Sequence, residues 1–186
     1  MAELRGWAPP AAIQAEYSLL ERTAEGELFG AARGLGIGVV AWSPLAGGGG
    51  VLSGKYARTE RNSADARRAV FPSTRAQLTD RAFGLLGLLT EIAHEQHVPV
   101  CAVALAWLGH RPKVTALVIG CRTARQLEDN LASLTVDLSD PRPAELDALT
   151  APELPFPLGF LRTSGVDLVQ GGATINGVPP RAWNLK

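Results

Sequence analysis

The sequence predicts an α/β fold in which parallel β-strands alternate with covering helices. Three short runs of residues have the length and boundaries of strands. Apolar and polar residues alternate in the first run, and the other two are continuously apolar. Stretches with apolar residues at helical spacing separate these runs. Strands that alternate with helices form βαβ units and a parallel sheet. The 186 residues are 46% hydrophobic and 19% charged, which is typical of a single globular domain.

The first half of the chain contains two of the strands. Residues 12–19 alternate in character and predict the first strand, and apolar spacing predicts a helix over 21–34 that ends in glycine. Residues 37–42 (IGVVAW) are continuously apolar, which predicts a strand buried on both faces. Residues 43–74 form a long connection that begins with a glycine run and continues with an Arg-rich stretch, and loops of this length are usually functional or partly disordered.

The second half contains the third strand, at 115–120. Helices are predicted at 77–98, 100–109, 123–134 and 143–149. Thr123 and Gln126 have the spacing of a capping box at the start of one of these helices. The tail from residue 151 is rich in Pro and Gly, so we divide the chain into a main part, 1–150, and a C-terminal tail, 151–186.

The number of strands is small for a complete α/β fold. A closed eight-stranded β/α barrel takes about 250 residues, and a doubly wound sheet needs more strands than the three found here. The sequence therefore predicts part of an α/β architecture. An open sheet has exposed edges that invite pairing, and the net charge of zero permits association. Self-association through a sheet edge is therefore expected.

Composition argues against several classes of function. Lys and Arg together number 18, as do Asp and Glu, so the surplus of cations that nucleic-acid binding requires is absent. No segment approaches the roughly 20 apolar residues of a membrane span, and the first residues do not resemble a secretory signal. We expect a cytoplasmic protein whose two cysteines, Cys101 and Cys121, are reduced and act as small hydrophobic residues.

Two turns are candidate anion sites. The segment WSPLAGGGG (42–50) follows the second strand, and its glycines allow backbone N–H groups to approach a phosphate. Gly120 and Arg122 follow the third strand, just before the helix that starts near Thr123. The alternatives are a flexible connection and an ordinary turn with a solvated arginine. The two turns follow successive strands, where barrels commonly build phosphate sites.

Five segments occur in the order found in one enzyme family: QAEYSL (14–19), WSPL (42–45), LSGKY (52–56), VALAWL (103–108) and IGxR…QLxDNL (119–131). In these segments the chain resembles the aldo-keto reductases, in the branch that includes bacterial reductases and β subunits of voltage-gated potassium channels. The resemblance implies a segment of a (β/α)8 TIM barrel, about the last three parallel strands with their helices. It also implies an NADPH-dependent oxidoreductase that reduces aldehydes and ketones.

The resemblance assigns NADP(H) contacts to individual residues. Gln14 would hold the nicotinamide amide, and Trp42 would stack on the nicotinamide ring. The residues expected to line the pyrophosphate are Ser43, Pro44, Leu45, Ala46 and Gly47, with Lys55 adding positive charge. Gly120 and Arg122 would meet the 2′-phosphate of the adenosine. The residues expected on the adenine side are Gln126, Asp129 and Asn130.

The resemblance assigns no catalytic residue to this chain. The family's catalytic Asp, Tyr, Lys and His lie on strands that precede the segment at Gln14, so a missing half would have to supply them for a small carbonyl substrate to react. Tyr17 occupies a structural position of the family, and His94 and His97 form a solvated pair without further metal ligands. The alternative function is a noncatalytic NADP-binding or interaction module, or an inactive truncated product.

Overall fold

The computed structural model describes residues 2–56, 76–139, 141–153, 155–163, 171, 173–174 and 176. Its strands are β1 (Ala12–Glu16), β2 (Gly38–Trp42) and β3 (Val114–Leu117). Its helices are α1 (Ala2–Arg5), α2 (Leu28–Leu35), α3 (Asp80–Gln96), α4 (Val100–Gly109), α5 (Ala124–Leu131), α6 (Arg142–Thr150) and α7 (Leu158–Thr163). Short 3₁₀ turns occupy Thr23–Glu25, Val51–Ser53 and Ala132–Thr135. The Arg-rich stretch of the long connection lies outside the described residues.

The three strands form one parallel sheet in the order β1-β2-β3, which confirms the predicted fold class. The pairing of β2 with β3 contains a bulge at Thr115, opposite the step from Val39 to Val40. The Thr115 hydroxyl accepts the N–H of Val39 at 3.2 Å, so the bulge leaves that donor satisfied. Gly38 is needed at this point because a Cβ there would lie 2.9 Å from Thr115 Oγ1.

One face of the sheet is covered and the other is open. Ala15, Val39 and Ala41 are buried beneath the helices, whereas Gln14 and Trp42 are exposed on the opposite face. The prediction that residues 37–42 are buried on both faces is therefore wrong. The described helices cover only the side that carries Ala15, Val39 and Ala41, so the alternate side chains of β2 remain half-buried or exposed.

The core is centred on α4, whose bounds agree with the predicted helix. Every residue from 101 to 108 is buried, because α4 packs against β3, α3 and α5. A helix that is apolar all round is typical of such a central position. The preceding helix, α3, starts later than predicted, at Asp80, because Thr79 is its N-cap and its hydroxyl accepts the N–H of Ala82 at 3.2 Å.

The predicted helix over 21–34 is shorter in the structure and begins at Leu28. A tight turn replaces its first part, since the Ser18 hydroxyl accepts the N–H groups of Leu20 (3.2 Å) and Glu21 (3.1 Å). This turn also ends β1 at Glu16, before the predicted end at residue 19. Side-chain hydrogen bonds of this kind compete with helix formation and stabilise turns instead.

A buried ion pair holds the segment that follows β1. The guanidinium of Arg22 donates to the Glu25 carboxylate through Nε (2.7 Å) and Nη2 (3.0 Å), and through Nη1 to the Thr150 hydroxyl (2.7 Å). The Tyr17 hydroxyl donates to Glu25 Oε1 at 2.5 Å. Burial alone would raise the pKa of Glu25, but the hydrogen bonds from Arg22 and Tyr17 outweigh it and lower that pKa.

Trp107 of α4 lies beneath this ion pair. The guanidinium carbons of Arg22 and Arg111 lie 5.0 and 4.6 Å from its ring centroid, and the Tyr17 ring stacks on it at 5.8 Å. Arg111 also donates to both carboxylate oxygens of Asp147, at 3.0 and 2.9 Å. The network therefore joins the segment after β1 to α4 and α6.

The pKa shift of Glu25 predicts how stability depends on pH. A carboxylate whose pKa is lowered by folding stabilises the protein above its ordinary value of 4.5, and this contribution is lost as the pH falls through the folded-state pKa. We expect Glu25→Gln to lower the free energy of unfolding by about 3 kcal/mol at pH 7. In this variant the free energy of unfolding should also fall less steeply as the pH is lowered into the acid range. Urea unfolding measured across pH tests this.

Glu27→Gln is the matched control, because Glu27 is an exposed glutamate only two residues after Glu25. It should change the free energy of unfolding by less than about 0.5 kcal/mol. Equal losses in the two variants would contradict the role given to the buried pair.

Candidate functional site

The loops that follow the three strands lie at the carboxyl edge of the sheet. Because the strands are parallel, their carboxyl ends point in the same direction. Pairing continues one residue beyond the strands: the N–H of Tyr17 donates to the carbonyl of Trp42 (3.2 Å), and the N–H of Val118 donates to that of Ala41 (2.8 Å). Ligands of open parallel α/β sheets bind outside this edge, and the loops that carry Ser43, Gly47 and Arg122 follow it.

The loop after β2 has a fixed shape. Ser43, Ala46 and Gly47 all have positive φ, at 57°, 61° and 77°. The Ser43 hydroxyl accepts the N–H of Gly47 at 2.7 Å, and the N–H of Val51 donates back to the carbonyl of Ala46 at 3.2 Å. Positive φ at two residues other than glycine is uncommon and is concentrated at ligand-binding turns.

The same loop is fastened to the core where it reaches Lys55. Gly54 has φ +84°, and a Cβ on it would lie 2.9 Å from Val100 Cβ at the start of α4, so only glycine fits there. The Tyr56 hydroxyl donates to the carbonyl of Gly49 at 3.2 Å. Lys55 lies between these two anchors and is exposed.

The turn after β3 leads into α5 as the sequence predicts. Thr123 is the N-cap, and its hydroxyl accepts the N–H of Gln126 at 3.2 Å. The side chain of Gln126 accepts in return from the N–H of Arg122 at 2.7 Å, one residue earlier than in a standard capping box. Gly120, Arg122 and Gln126 are all exposed, so the start of α5 is open to solvent.

The predicted cations of the two loops interact electrostatically. Partial burial lowers the pKa of Lys55, and the positive charge of Arg122 lowers it further. A like charge acts on a pKa in this way when it is nearby. Lys55 follows β2 and Arg122 follows β3, so two separate loops contribute to one positively charged region.

A second group of predicted residues meets near the end of β1. Gln14 and Trp42 line one groove of about 370 Å³. Trp42 is 41% exposed, so a large part of its ring is accessible. The groove is therefore a shallow surface with an aromatic ring and a carboxamide.

Three polar residues of this groove were not predicted: Glu16, Glu21 and Thr23. Glu21 accepts from the N–H of Thr23 at 3.0 Å and also from its hydroxyl, and so fixes one wall of the groove. The sequence signal for this wall is weak, because a Glu two residues before a Thr is common in turns of no special function.

The remaining predicted contact residues differ in exposure. Leu45 and Asp129 are half-buried, whereas Pro44, Ala46 and Asn130 are buried. Ala46 and Asn130 therefore present little side-chain surface to a ligand. Their predicted contacts with the cofactor stay predictions.

The polar residues without an assigned role mostly have structural partners. Tyr17 is buried, and its pKa is raised by that burial and by Glu25. His110 Nδ1 lies 2.8 Å from the carbonyl of Ala106 near the end of α4. Both cysteines are free, and Cys101 is buried as a small hydrophobic residue would be, whereas Cys121 is exposed. The turn at Cys121 leaves the sheet, and its side chain lies outside the core.

In the part of the chain that the structure describes, no group of three His, Cys, Asp or Glu side chains could hold a metal ion, and the exposed pair His94 and His97 has ring centroids 6.4 Å apart. No helix among those residues has the length and apolar character to cross a membrane.

Comparison with known proteins identifies relatives. A stretch of 125 residues, 67% of this chain, is 42% identical to the uncharacterized oxidoreductase YrpG of Bacillus subtilis and covers 36% of it. L-glyceraldehyde 3-phosphate reductase of Escherichia coli is 34% identical over 136 residues, 70% of this chain and 39% of its own length. A probable voltage-gated potassium channel subunit beta of Oryza sativa subsp. japonica is 33% identical over 131 residues, which are 68% of this chain and 39% of the relative.

The chain thus spans 36% to 39% of the length of these three relatives. The profile described as Aldo/keto reductase family matches residues 1–151, which is most of the chain. The parallel sheet agrees with part of that family's β/α barrel. The chain therefore belongs to the aldo/keto reductase family.

Proposed function

We propose that this chain binds NADP(H) at the carboxyl edge of its sheet and forms the cofactor-binding part of an oxidoreductase that reduces aldehydes and ketones. The observation that supports this most is that Lys55 and Arg122, which come from loops after successive strands at one edge of the sheet, influence each other electrostatically. Two cations on neighbouring loops favour a ligand with more than one anionic group, and a dinucleotide with a 2′-phosphate is such a ligand.

The residues present fit the two ends of this cofactor. Arg122 and Gly120 would meet the 2′-phosphate, and Lys55 with the loop after β2 would meet the pyrophosphate. At the other end, the exposed ring of Trp42 offers a stacking surface, and Gln14 in the same groove offers an amide for hydrogen bonding. When bound, NADPH supplies the hydride for carbonyl reduction.

The role of this chain in that reaction is to bind and orient. Its two tyrosines have engaged hydroxyls, since Tyr17 donates to Glu25 and Tyr56 donates to Gly49. We assign the proton donor to residues outside the part of the relatives that this chain matches. The free cysteines Cys101 and Cys121 suit the reducing cytoplasm, where we place the protein.

A noncatalytic NADP-binding or interaction module is the second candidate. The engaged tyrosine hydroxyls favour it, because neither is available to protonate a substrate. A relative whose name describes a potassium channel subunit is consistent with a role in an assembly. NADP binding is common to both candidate functions. They differ because only the first includes turnover of a carbonyl substrate.

The choice of cofactor gives the first test of this proposal. Arg122→Ala should weaken the binding of NADP⁺ by about 1.5–3 kcal/mol, because it removes a charge-assisted contact with the 2′-phosphate. The binding of NAD⁺, which lacks that phosphate, should change much less. Calorimetric titration of each cofactor into the purified chain measures both.

Arg125→Ala is the matched control, since Arg125 is exposed on the first turn of α5 and is assigned no contact. It should leave both affinities close to those of the unmodified chain. If Arg122→Ala weakened NADP⁺ and NAD⁺ equally, Arg122 would be a solvated surface residue and the cofactor assignment would be wrong.

Turnover gives the second test. We expect the purified chain alone not to oxidise NADPH at an enzymatic rate with a panel of aldehydes, because loss of a general acid alone costs roughly 10²–10⁴-fold. The decrease in absorbance of the reduced nicotinamide follows the reaction. Rapid turnover by the chain alone would show that its own residues supply the proton.

A further inference from the structure

Helix α6 packs on α3 with little apolar burial. Leu146 and Thr150 are its buried residues, and its other positions are half-buried or exposed. An isolated helix shorter than about 12–15 residues is marginal in water, and α6 has nine residues. It therefore depends on contacts with the rest of the chain to remain helical.

The carboxyl end of α6 is capped by another segment of the chain. Ala151, which follows the last helical residue, has φ −49° and ψ 128°, so the chain does not enter the left-handed turn that commonly satisfies the last carbonyls of a helix. Arg81, from the first turn of α3, donates instead to the carbonyl of Ala151 at 3.0 Å and to that of Leu149 at 3.3 Å. A cation at this end also interacts favourably with the helix dipole.

Two further arginines hold the inner side of α6. Arg22 donates to the Thr150 hydroxyl at 2.7 Å, and its Nη1 lies 3.2 Å from Asp147 Oδ1. Arg111 donates to both carboxylate oxygens of Asp147. Asp147 and Thr150 are three residues apart and so share one face of the helix. Guanidinium groups from three separate segments therefore hold α6 in place.

A group of exposed ion pairs joins α6 to α3. The guanidinium of Arg142 lies 3.1 Å from Glu91 Oε1 and is also paired with Glu95, and both carboxylates are exposed to solvent. Ion pairs of this kind are weak and are screened by salt. The attachment of α6 thus rests largely on charges, and added salt can reach several of them.

Arg22 connects α6 to the segment that follows β1. Its Nε and Nη2 donate to the Glu25 carboxylate, while its Nη1 donates to Thr150. Thr23 and Ala24, between Arg22 and Glu25, line the groove of about 370 Å³. Arg22 is 7% exposed, so departure of α6 would leave part of a buried guanidinium without partners, which is costly. The segment would have to rearrange in response.

We propose that α6 is a salt-sensitive strap, which detaches as a unit while α4 and the sheet stay folded, and that its detachment loosens residues 18–25 along the groove. Elements with few buried apolar contacts open at a lower free energy than the core does. The strap is held by arginines and carboxylates of this chain, so the proposal does not require the proposed cofactor.

Amide hydrogen exchange of the full chain, followed by mass spectrometry, tests the proposal. Raising NaCl from roughly 0.05 M to roughly 1 M should speed exchange in α6 and in residues 18–25, because the Debye length falls to about 3 Å. Exchange in α5 should stay unchanged. This helix is the matched comparison, since it has eight residues and the adjacent Thr123 caps it.

A substitution at Arg81 separates the strap from a general effect of salt. Arg81→Ala should speed exchange in α6 roughly two- to fivefold at low salt, as expected for loss of a cation at a helix carboxyl end. It should also speed exchange in residues 18–25, although the hydrogen bonds of Arg81 go to residues 149 and 151. Arg125→Ala is the matched control, because Arg125 is exposed and is likewise the second residue of its helix. It should change neither region.

Each other outcome would overturn the proposal. Faster exchange in α6 alone would show that its release does not reach the groove. Equal acceleration of α6 and α4 would show that the whole domain opens together. Exchange that responds neither to salt nor to Arg81→Ala, or that responds equally to Arg81→Ala and Arg125→Ala, would show that the arginines do not hold a strap.

Discussion

Parallel pairing of the three strands is the constraint on which the site depends. Because β1, β2 and β3 run in the same direction, the loops that follow them all lie at one edge, although these loops are far apart in the sequence. The bulge at Thr115 shifts the register of β3 relative to β2, and the N–H of Val39 still has a hydrogen-bond partner. The two loops can then bring Lys55 and Arg122 into electrostatic range of each other.

Two kinds of interaction keep this edge in place. Beneath the segment after β1, the balanced charges of Arg22, Arg111, Glu25 and Asp147 surround Trp107 and hold Tyr17, whose N–H is bonded to the carbonyl of Trp42. The loop after β2 depends instead on backbone geometry, because Gly54 fits against α4 only without a side chain. The groove residues and the cationic residues are thus held by independent supports.

The sequence predicts that the sheet is parallel, where α4 begins and ends, and that Thr123 is an N-cap. Each of these features depends on local pattern or capping chemistry. It fails where the answer depends on distant residues. Arg22 and Glu25 have the spacing of an ordinary surface pair, and their burial arises from contact with α4 and α6. The apolar pattern of β2 resembles that of a strand covered on both sides, but it carries no information on which layer covers it.

We propose that the Gln14–Trp42 groove and the Lys55–Arg122 region bind the two ends of one ligand. Nuclear magnetic resonance of the ¹⁵N-labelled chain during titration with NADP⁺ tests this. The side-chain amide of Gln14 and the backbone amide of Gly120 should shift together with a single dissociation constant. Shifts at Gly120 alone, or two different dissociation constants, would contradict it.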